Sequence, residues 1–278
     1  MIDCHLHLQD PRLGSIPEIF TAVRCEHIGC LVVNGTHPED WEKVAELSMI
    51  YPEVIPSFGL HPWRANEVGD DEWRERLAER LIDFPVAGVG EIGLDRWIKG
   101  HNPEHQKKVF RVQLALAAEL GRPVSVHCLN AWGSLLDCLR TADLSAGCLL
   151  HSYGGPVEMV DEFVALGVYF SLSGYFFREE KSEKLRAFEK VPDERLLLET
   201  DAPDMLPPRS MLRHTLVSPV GEEINHPANL PAIYEAYAVW RGIRPDEAAD
   251  RVKRNFTRWF FSGRREIFLS RFPILNGR

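Results

Sequence analysis

A chain of 278 residues, 45% hydrophobic and 26% charged, is long enough to bury one large core. It has no run of about 18 apolar residues, which excludes a membrane-spanning helix, and its net charge of −9 argues against extended binding of nucleic acid by phosphate neutralisation alone. Divalent ions would change that balance locally, because they create an anion site on an acidic surface.

The first eight residues, Met-Ile-Asp-Cys-His-Leu-His-Leu, read as a strand whose alternation puts His5 and His7 on one face and Cys4 on the other. A start on a core strand leaves no room for a signal peptide, so a cytoplasmic protein is expected. Six cysteines without a C-x-x-C pair fit that expectation as free thiols. Residues 17–27 carry Ile19, Phe20 and Val23 at helical spacing, with Pro17 suited to a first turn and Gly29 to a stop. Residues 30–34 form a second predicted strand and 39–50 a helix. Residues 54–60 form a third strand that runs into His61-Pro62-Trp63.

Residues 71–84 predict a helix with Trp73, Leu77 and Leu81 inward. The fourth strand, 86–89, ends before Gly90-Glu91-Ile92-Gly93-Leu94-Asp95, and a long helix covers 104–120. The remaining strand and helix pairs are 123–127 with 131–141, 147–151 with 157–166, and 168–172 with 180–189. The eighth strand, 196–198, runs into Glu199-Thr200-Asp201-Ala202-Pro203. A Pro-rich loop of about 204–227, helices at 229–241 and 245–253, and an aromatic tail at Trp259-Phe260-Phe261 follow. Eight strands alternating with helices predict a (β/α)8 TIM barrel, with room for distortion and with extra C-terminal helices, as one domain over 1–278. A doubly wound open sheet would show the same alternation; the count of eight favours the barrel.

Position then selects the candidate site. His5 and His7 end the first predicted strand, His61 follows the third and Glu91 the fourth. His127 ends the fifth, His151 the sixth, and Asp201 follows the eighth. In a parallel barrel all these ends share one rim, where barrel active sites are built. Histidines scattered through a core would not pick out strand ends. Imidazoles and carboxylates together suit Zn, Mn or related divalent ions. Six ligands exceed the need of one open tetrahedral ion but serve two if a carboxylate bridges, and Glu91 is the natural bridge. Gly90 and Gly93 beside it let the backbone come close.

These segments resemble the TatD family of metal-dependent hydrolases, within the amidohydrolase superfamily. The resemblance rests on Asp3-Cys4-His5-Leu6-His7-Leu8, Gly59-Leu60-His61-Pro62, Gly90 to Asp95, Pro123 to Cys128, His151-Ser152-Tyr153-Gly154-Gly155 and Glu199 to Pro203. It extends to Asn225 to Leu230 and Asn255 to Phe260, so it covers essentially the whole chain. It implies His5, His7, Glu91 and Asp201 on one metal, and Glu91, His127 and His151 on the second. His61 stands near the site and is not usually counted as a ligand. The superfamily's carbamylated lysine has no counterpart, since Glu91 takes the bridging role. The sequence departs from the family at Leu129, where many relatives carry a basic residue, and at Arg96-Trp97, where relatives often carry an aromatic directly after the aspartate.

The expected function is hydrolysis of phosphoester bonds by a water activated between two divalent ions (Zn, Mn or Mg). Asp201 is the expected general base, Glu91 the bridge, and His61, Arg64 or Arg96 the group that holds or protonates the leaving group. The resemblance implies single-stranded or 3′-end DNA, or a small phosphodiester, as substrate; a monomer or small homo-oligomer is expected. Two alternatives stay open: a metallohydrolase of an amide, ester or lactone, and a non-catalytic metal-binding or interaction protein. Asp201 could instead cap a turn, and His127 and His151 could be satisfied core histidines. His101, His105, His214 and His226 are expected in surface or loop roles. Arg209 and Arg213 are expected in a solvated loop.

Overall fold

The computed structural model describes residues 1–68, 72–100, 102–264 and 266–267. Eight parallel strands follow in sequential order: β1 (Ile2–Leu6), β2 (Cys30–Asn34), β3 (Val54–Phe58), β4 (Gly88–Asp95), β5 (Val124–Leu129), β6 (Cys148–Leu150), β7 (Tyr169–Ser173) and β8 (Leu196–Glu199). The helices between them are α1 (Ile16–Cys25), α2 (Trp41–Ile50), α3 (Glu72–Asp83), α4 (Pro103–Glu119), α5 (Trp132–Arg140), α6 (Val160–Ala165) and α7 (Ser182–Glu189). This is a TIM-barrel arrangement, nearly closed. Where β8 comes back to β1, the Asp201 amide donates to His5 O (3.0 Å) and the His7 amide to Ala202 O (2.8 Å). The Asp3 carboxylate ties the same seam from inside, accepting from the Thr200 amide (3.0 Å) and hydroxyl (2.5 Å).

The strands are buried on both faces, as a barrel inside a helical shell requires. The barrel's interior below the rim is small and polar: Asn34, Ser57, Ser125, Ser171 and Ser173 are all buried there. Small residues leave room for larger rings above them. Helices α8 (Leu230–Arg241) and α9 (Pro245–Phe260) complete the shell. On α9, Val252, Phe256, Trp259 and Phe260 are buried at helical spacing. Burial at about 1.5–3 kcal/mol per large side chain makes this face a main anchor.

Three local expectations change. Strand β4 does not end at Val89 but continues through the Gly-rich segment to Asp95, so Glu91 sits inside a strand. The aromatic group at 259–260 is not a tail but the last turn of α9. The Pro-rich loop contains a short antiparallel pair, β9 (Leu216–Val217) with β10 (Glu223–Ile224). The expected helix start at Asp71, and His101, lie outside the described residues.

Candidate active site

The glycines of β4 explain how Glu91 reaches the centre of the barrel. A side chain at Gly90 would meet Asn34 Oδ1 at 2.8 Å and Ser125 Cβ at 2.9 Å. At Gly93, which has φ +148, it would meet the His127 carbonyl oxygen at 2.0 Å. Only glycine lets β4 pass this close to its neighbours. Glu91 is thereby buried among five imidazoles.

Its two oxygens face different groups. Oε2 lies 3.4 Å from His5 Nε2 and 3.2 Å from His7 Nε2. Oε1 lies 2.9 Å from His127 Nδ1, 2.8 Å from His151 Nε2 and 3.3 Å from His61 Nε2. Asp201 joins the first group, with Oδ1 at 3.8 Å from His5 and 3.6 Å from His7. Ligands about 2.0–2.2 Å from one tetrahedral ion stand about 3.4 Å apart, which is close to the spacing of the Oε2 group, while His127 and His151 sit nearer to Oε1, at hydrogen-bond distance. The residues His5, His7 and Asp201 form one cluster able to hold a metal, His61, Glu91 and His127 a second, and His5, His151 and Glu199 a third.

Hydrogen-bond partners fix the ring nitrogens. His5 Nδ1 pairs with Ser125 Oγ (2.8 Å), His7 Nδ1 with Asn34 O (2.8 Å), and His127 Nε2 with Asp95 Oδ2 (2.9 Å). A backbone carbonyl or carboxylate takes a proton from the ring, so Nε2 of His7 and Nδ1 of His127 are the nitrogens turned toward Glu91. His61 is opposite. Its Nδ1 accepts from the Trp63 amide (3.2 Å), which leaves the proton on Nε2. His61 therefore caps the turn at Pro62–Arg64 and presents an N–H, not a lone pair, to the centre. Nε2 of His5 and Nε2 of His7 lie 3.3 Å apart and both face Glu91 Oε2, so a cation between them would meet both rings. The donor set therefore fits divalent ions.

Charge is unevenly held. Burial pushes His5 down to about 3 and His61 down to about 4. Burial also works against a charged His7, but the Glu91 carboxylate outweighs it and raises His7 to about 9. His151 rises for the same reason, and Glu91 falls well below the ordinary range against its own burial, held by the surrounding imidazoles. Burial raises Asp201 to about 7. Asp201 sits at φ +53, in the left-handed region that non-glycine residues rarely adopt, and Ser152 after His151 does the same at φ +40. These residues border a cleft of about 560 Å3 that also takes in Arg12, Trp63, Trp97, Leu129 and Asp204.

The arrangement matches a known family. The family model for the TatD related DNases matches residues 2–261. The chain belongs to the TatD-related DNase family. It is 33% identical over 249 residues to a 3′-5′ ssDNA/RNA exonuclease TatD of Edwardsiella piscicida, covering 87% of this chain and 92% of that one. To the enzyme of the same name in Dickeya dadantii it is 32% identical, covering 95% and 99%. Among solved structures, the TatD homolog YJJV of Escherichia coli K12 superposes with a TM-score of 0.83 at 27% identity, over 94% of this chain and 97% of that one. As a TatD-family protein the chain is a hydrolase of phosphodiester bonds.

All seven residues singled out from the sequence meet at this one mouth. The residues that hold them were missed: Asn34, Ser125 and Asp95 behind three histidines, and Glu199 behind His151. Glu199 accepts from the Ser152 amide (2.8 Å) and hydroxyl (2.6 Å) and from the Ser171 hydroxyl, and faces His151 Nδ1 at 3.7 Å. Each is a polar residue in or ending an apolar strand, which was the available signal. His226 lies in a loop, as expected, but not at the surface. It is buried and caps the turn at Pro227–Asn229, while His105 and His214 do lie on the periphery.

Proposed function

We propose that this TatD-family hydrolase uses two divalent ions to remove nucleotides from the 3′ end of single-stranded DNA or RNA. One ion would be held by His5, His7, Asp201 and Glu91 Oε2, the other by Glu91 Oε1, His127 and His151. The division of one carboxylate between two imidazole groups carries this reading. Imidazole-rich donors favour Zn over Mg, while the carboxylates Glu91 and Asp201 also suit Mn. Bound there, such ions supply acidification of water and neutralisation of phosphoryl charge.

The chain's own groups do the rest. Asp201, with Oδ1 at 3.8 Å from His5 and 3.6 Å from His7, is placed to accept a proton from the attacking water, and its side chain faces the centre. The His61 Nε2–H, 3.3 Å from Glu91 Oε1, is placed to donate to a phosphoryl or leaving oxygen. A cleft of about 560 Å3 falls in the range of roughly 300–1,000 Å3 usual for small ligands, which suits a strand end. The relatives whose names specify 3′-5′ action on ssDNA and RNA support the substrate. Six unpaired cysteines fit a reducing cytoplasm.

The test uses chelator-stripped protein reloaded with Zn or Mn. A 5′-labelled single-stranded oligonucleotide should shorten stepwise from its 3′ end. Asp201→Asn, with its metal content measured, should lose about 10²- to 10⁴-fold in turnover. Hydrolysis confined to a chromogenic carboxylic ester, with both nucleic acids intact, would overturn the reading.

A further inference from the structure

The two walls of the cleft differ. On the side of β1, β2 and β8 the mouth carries Asp10, Asp40 and Asp204, with Arg12 bridging Asp10 and Asp204 at 2.7 Å each. On the side of β3, β4 and β5 it carries Trp63, Trp97 and Leu129, which are 44%, 68% and 37% exposed. Large apolar side chains left in water beside a charged centre mark a contact surface.

Asp95 moors this wall. Its Oδ2 accepts from the Trp63 indole N–H (2.6 Å) and from His127 Nε2 (2.9 Å). Its Oδ1 accepts from the Trp97 amide (2.6 Å). One buried carboxylate thus holds the Trp63 indole beside the His127 ring that faces Glu91 and fixes the backbone at Trp97. The Trp63 N–H is already engaged, so that residue offers a ring to a ligand and no donor to read a base edge.

We propose that Trp97 and Trp63, with Leu129 beside them, stack the base of the strand's terminal nucleotide and so hold its phosphodiester at the centre. This rests on the nuclease reading above. Of the two walls only this one offers indole rings, so the base turns toward it. Stacking is sequence-tolerant because every base has a π-face. The wall therefore takes a nucleotide of any base.

The experiment compares a single-stranded oligonucleotide with one whose two 3′-terminal nucleotides lack bases, using metal-loaded protein. For the wild type, loss of the bases should raise KM about tenfold, in line with the usual stacking contribution. Trp97→Ala should raise KM on the intact strand by a similar factor and erase the difference between the strands, with KM carrying most of the loss. A non-hydrolysable phosphorothioate strand should quench tryptophan emission in the wild type and less in that variant, a readout independent of turnover. Equal KM for both strands, or an unchanged KM in Trp97→Ala, would overturn the wall while leaving nuclease activity in place. Failure of the wild type to shorten either strand would remove the nuclease reading and the wall with it.

Discussion

The two ends of the barrel are built by opposite rules. At the C-terminal rim, five histidines and the carboxylates Glu91 and Asp201 crowd together, all but His7 and His127 buried. Asn130, Ser152, Asp201 and Met205 all hold positive φ just beyond strand ends, and His27 is the other such non-glycine residue among those described. At the opposite end, Phe256, Trp259 and Phe260 of α9 are buried, and Asn255 donates to the Asp193 and Leu196 carbonyls at 2.7 and 2.8 Å. The base is closed by packed aromatic rings, while the rim gathers imidazoles and carboxylates on strained backbone. The contrast predicts that damage at one end is read in catalysis and damage at the other in folding.

The largest effect is expected at Glu91. Glu91→Gln keeps the shape but removes the negative charge shared by the two groups. Metal content, measured by elemental analysis after dialysis, should fall by more than the about 10- to 100-fold affinity loss typical of a supporting residue. Activity should fall to background while the circular dichroism spectrum stays native. Retention of both ions would separate Glu91 from the metal centre.

At the base the reverse holds. Phe256→Ala deletes a fully buried ring on α9 and should cost about 3–5 kcal/mol of stability by urea unfolding. The folded fraction should keep its metal affinity and KM. A change in either would mean that the two ends communicate.

The same contrast governs what the sequence disclosed. The strand count and the gathering of His5, His7, His61, Glu91, His127, His151 and Asp201 were legible because barrel topology turns sequence position into place. The course of β4 was not, because Gly-Glu-Ile-Gly-Leu-Asp lacks the β-branched density of a strand and its glycines read as punctuation. There the glycines serve close approach rather than turning. The last turns of α9 were hidden for a related reason. Asn-Phe-Thr-Arg-Trp-Phe has poor intrinsic helix propensity, and burial of its apolar face overrides that preference. Supporting polar residues such as Ser125 and Asp95 carry no local signal of their partners, which come from other strands.

A moderate effect at the rim is expected from Asp95, which supports a metal-facing ring without facing the centre itself. Asp95→Asn retains a hydrogen-bond acceptor but loses the charge, which the His127 and Trp63 partners hold at about 2 against the cost of burial. Metal affinity, titrated with a competing chelator, should weaken about 10- to 100-fold, with the fold intact. Affinity equal to wild type would show that the ring needs no anionic partner.

The smallest effect concerns acid stability, and it distinguishes the rim's braces from its chemistry. His226 is buried near the seam of the rim, where the neighbouring Asn225 holds the Thr200 carbonyl at 2.8 Å. Its Nδ1 accepts from the Ala228 amide at 2.9 Å, an interaction that a protonated ring cannot keep. Burial, aided by the stacked His214, depresses it from 6.5 to about 4. The unfolded chain therefore binds this proton more readily than the folded one between those values. The stabilisation is complete above pH 6.5, declines as pH falls, and is exhausted below about 4. His226→Asn keeps a side chain able to cap the turn but removes the titration. Its unfolding free energy should fall less steeply than the wild type's across that window, by the slope of one proton, with KM and metal content unaltered. An identical slope in both proteins would show that His226 contributes nothing to the acid sensitivity and that the seam's brace does not titrate.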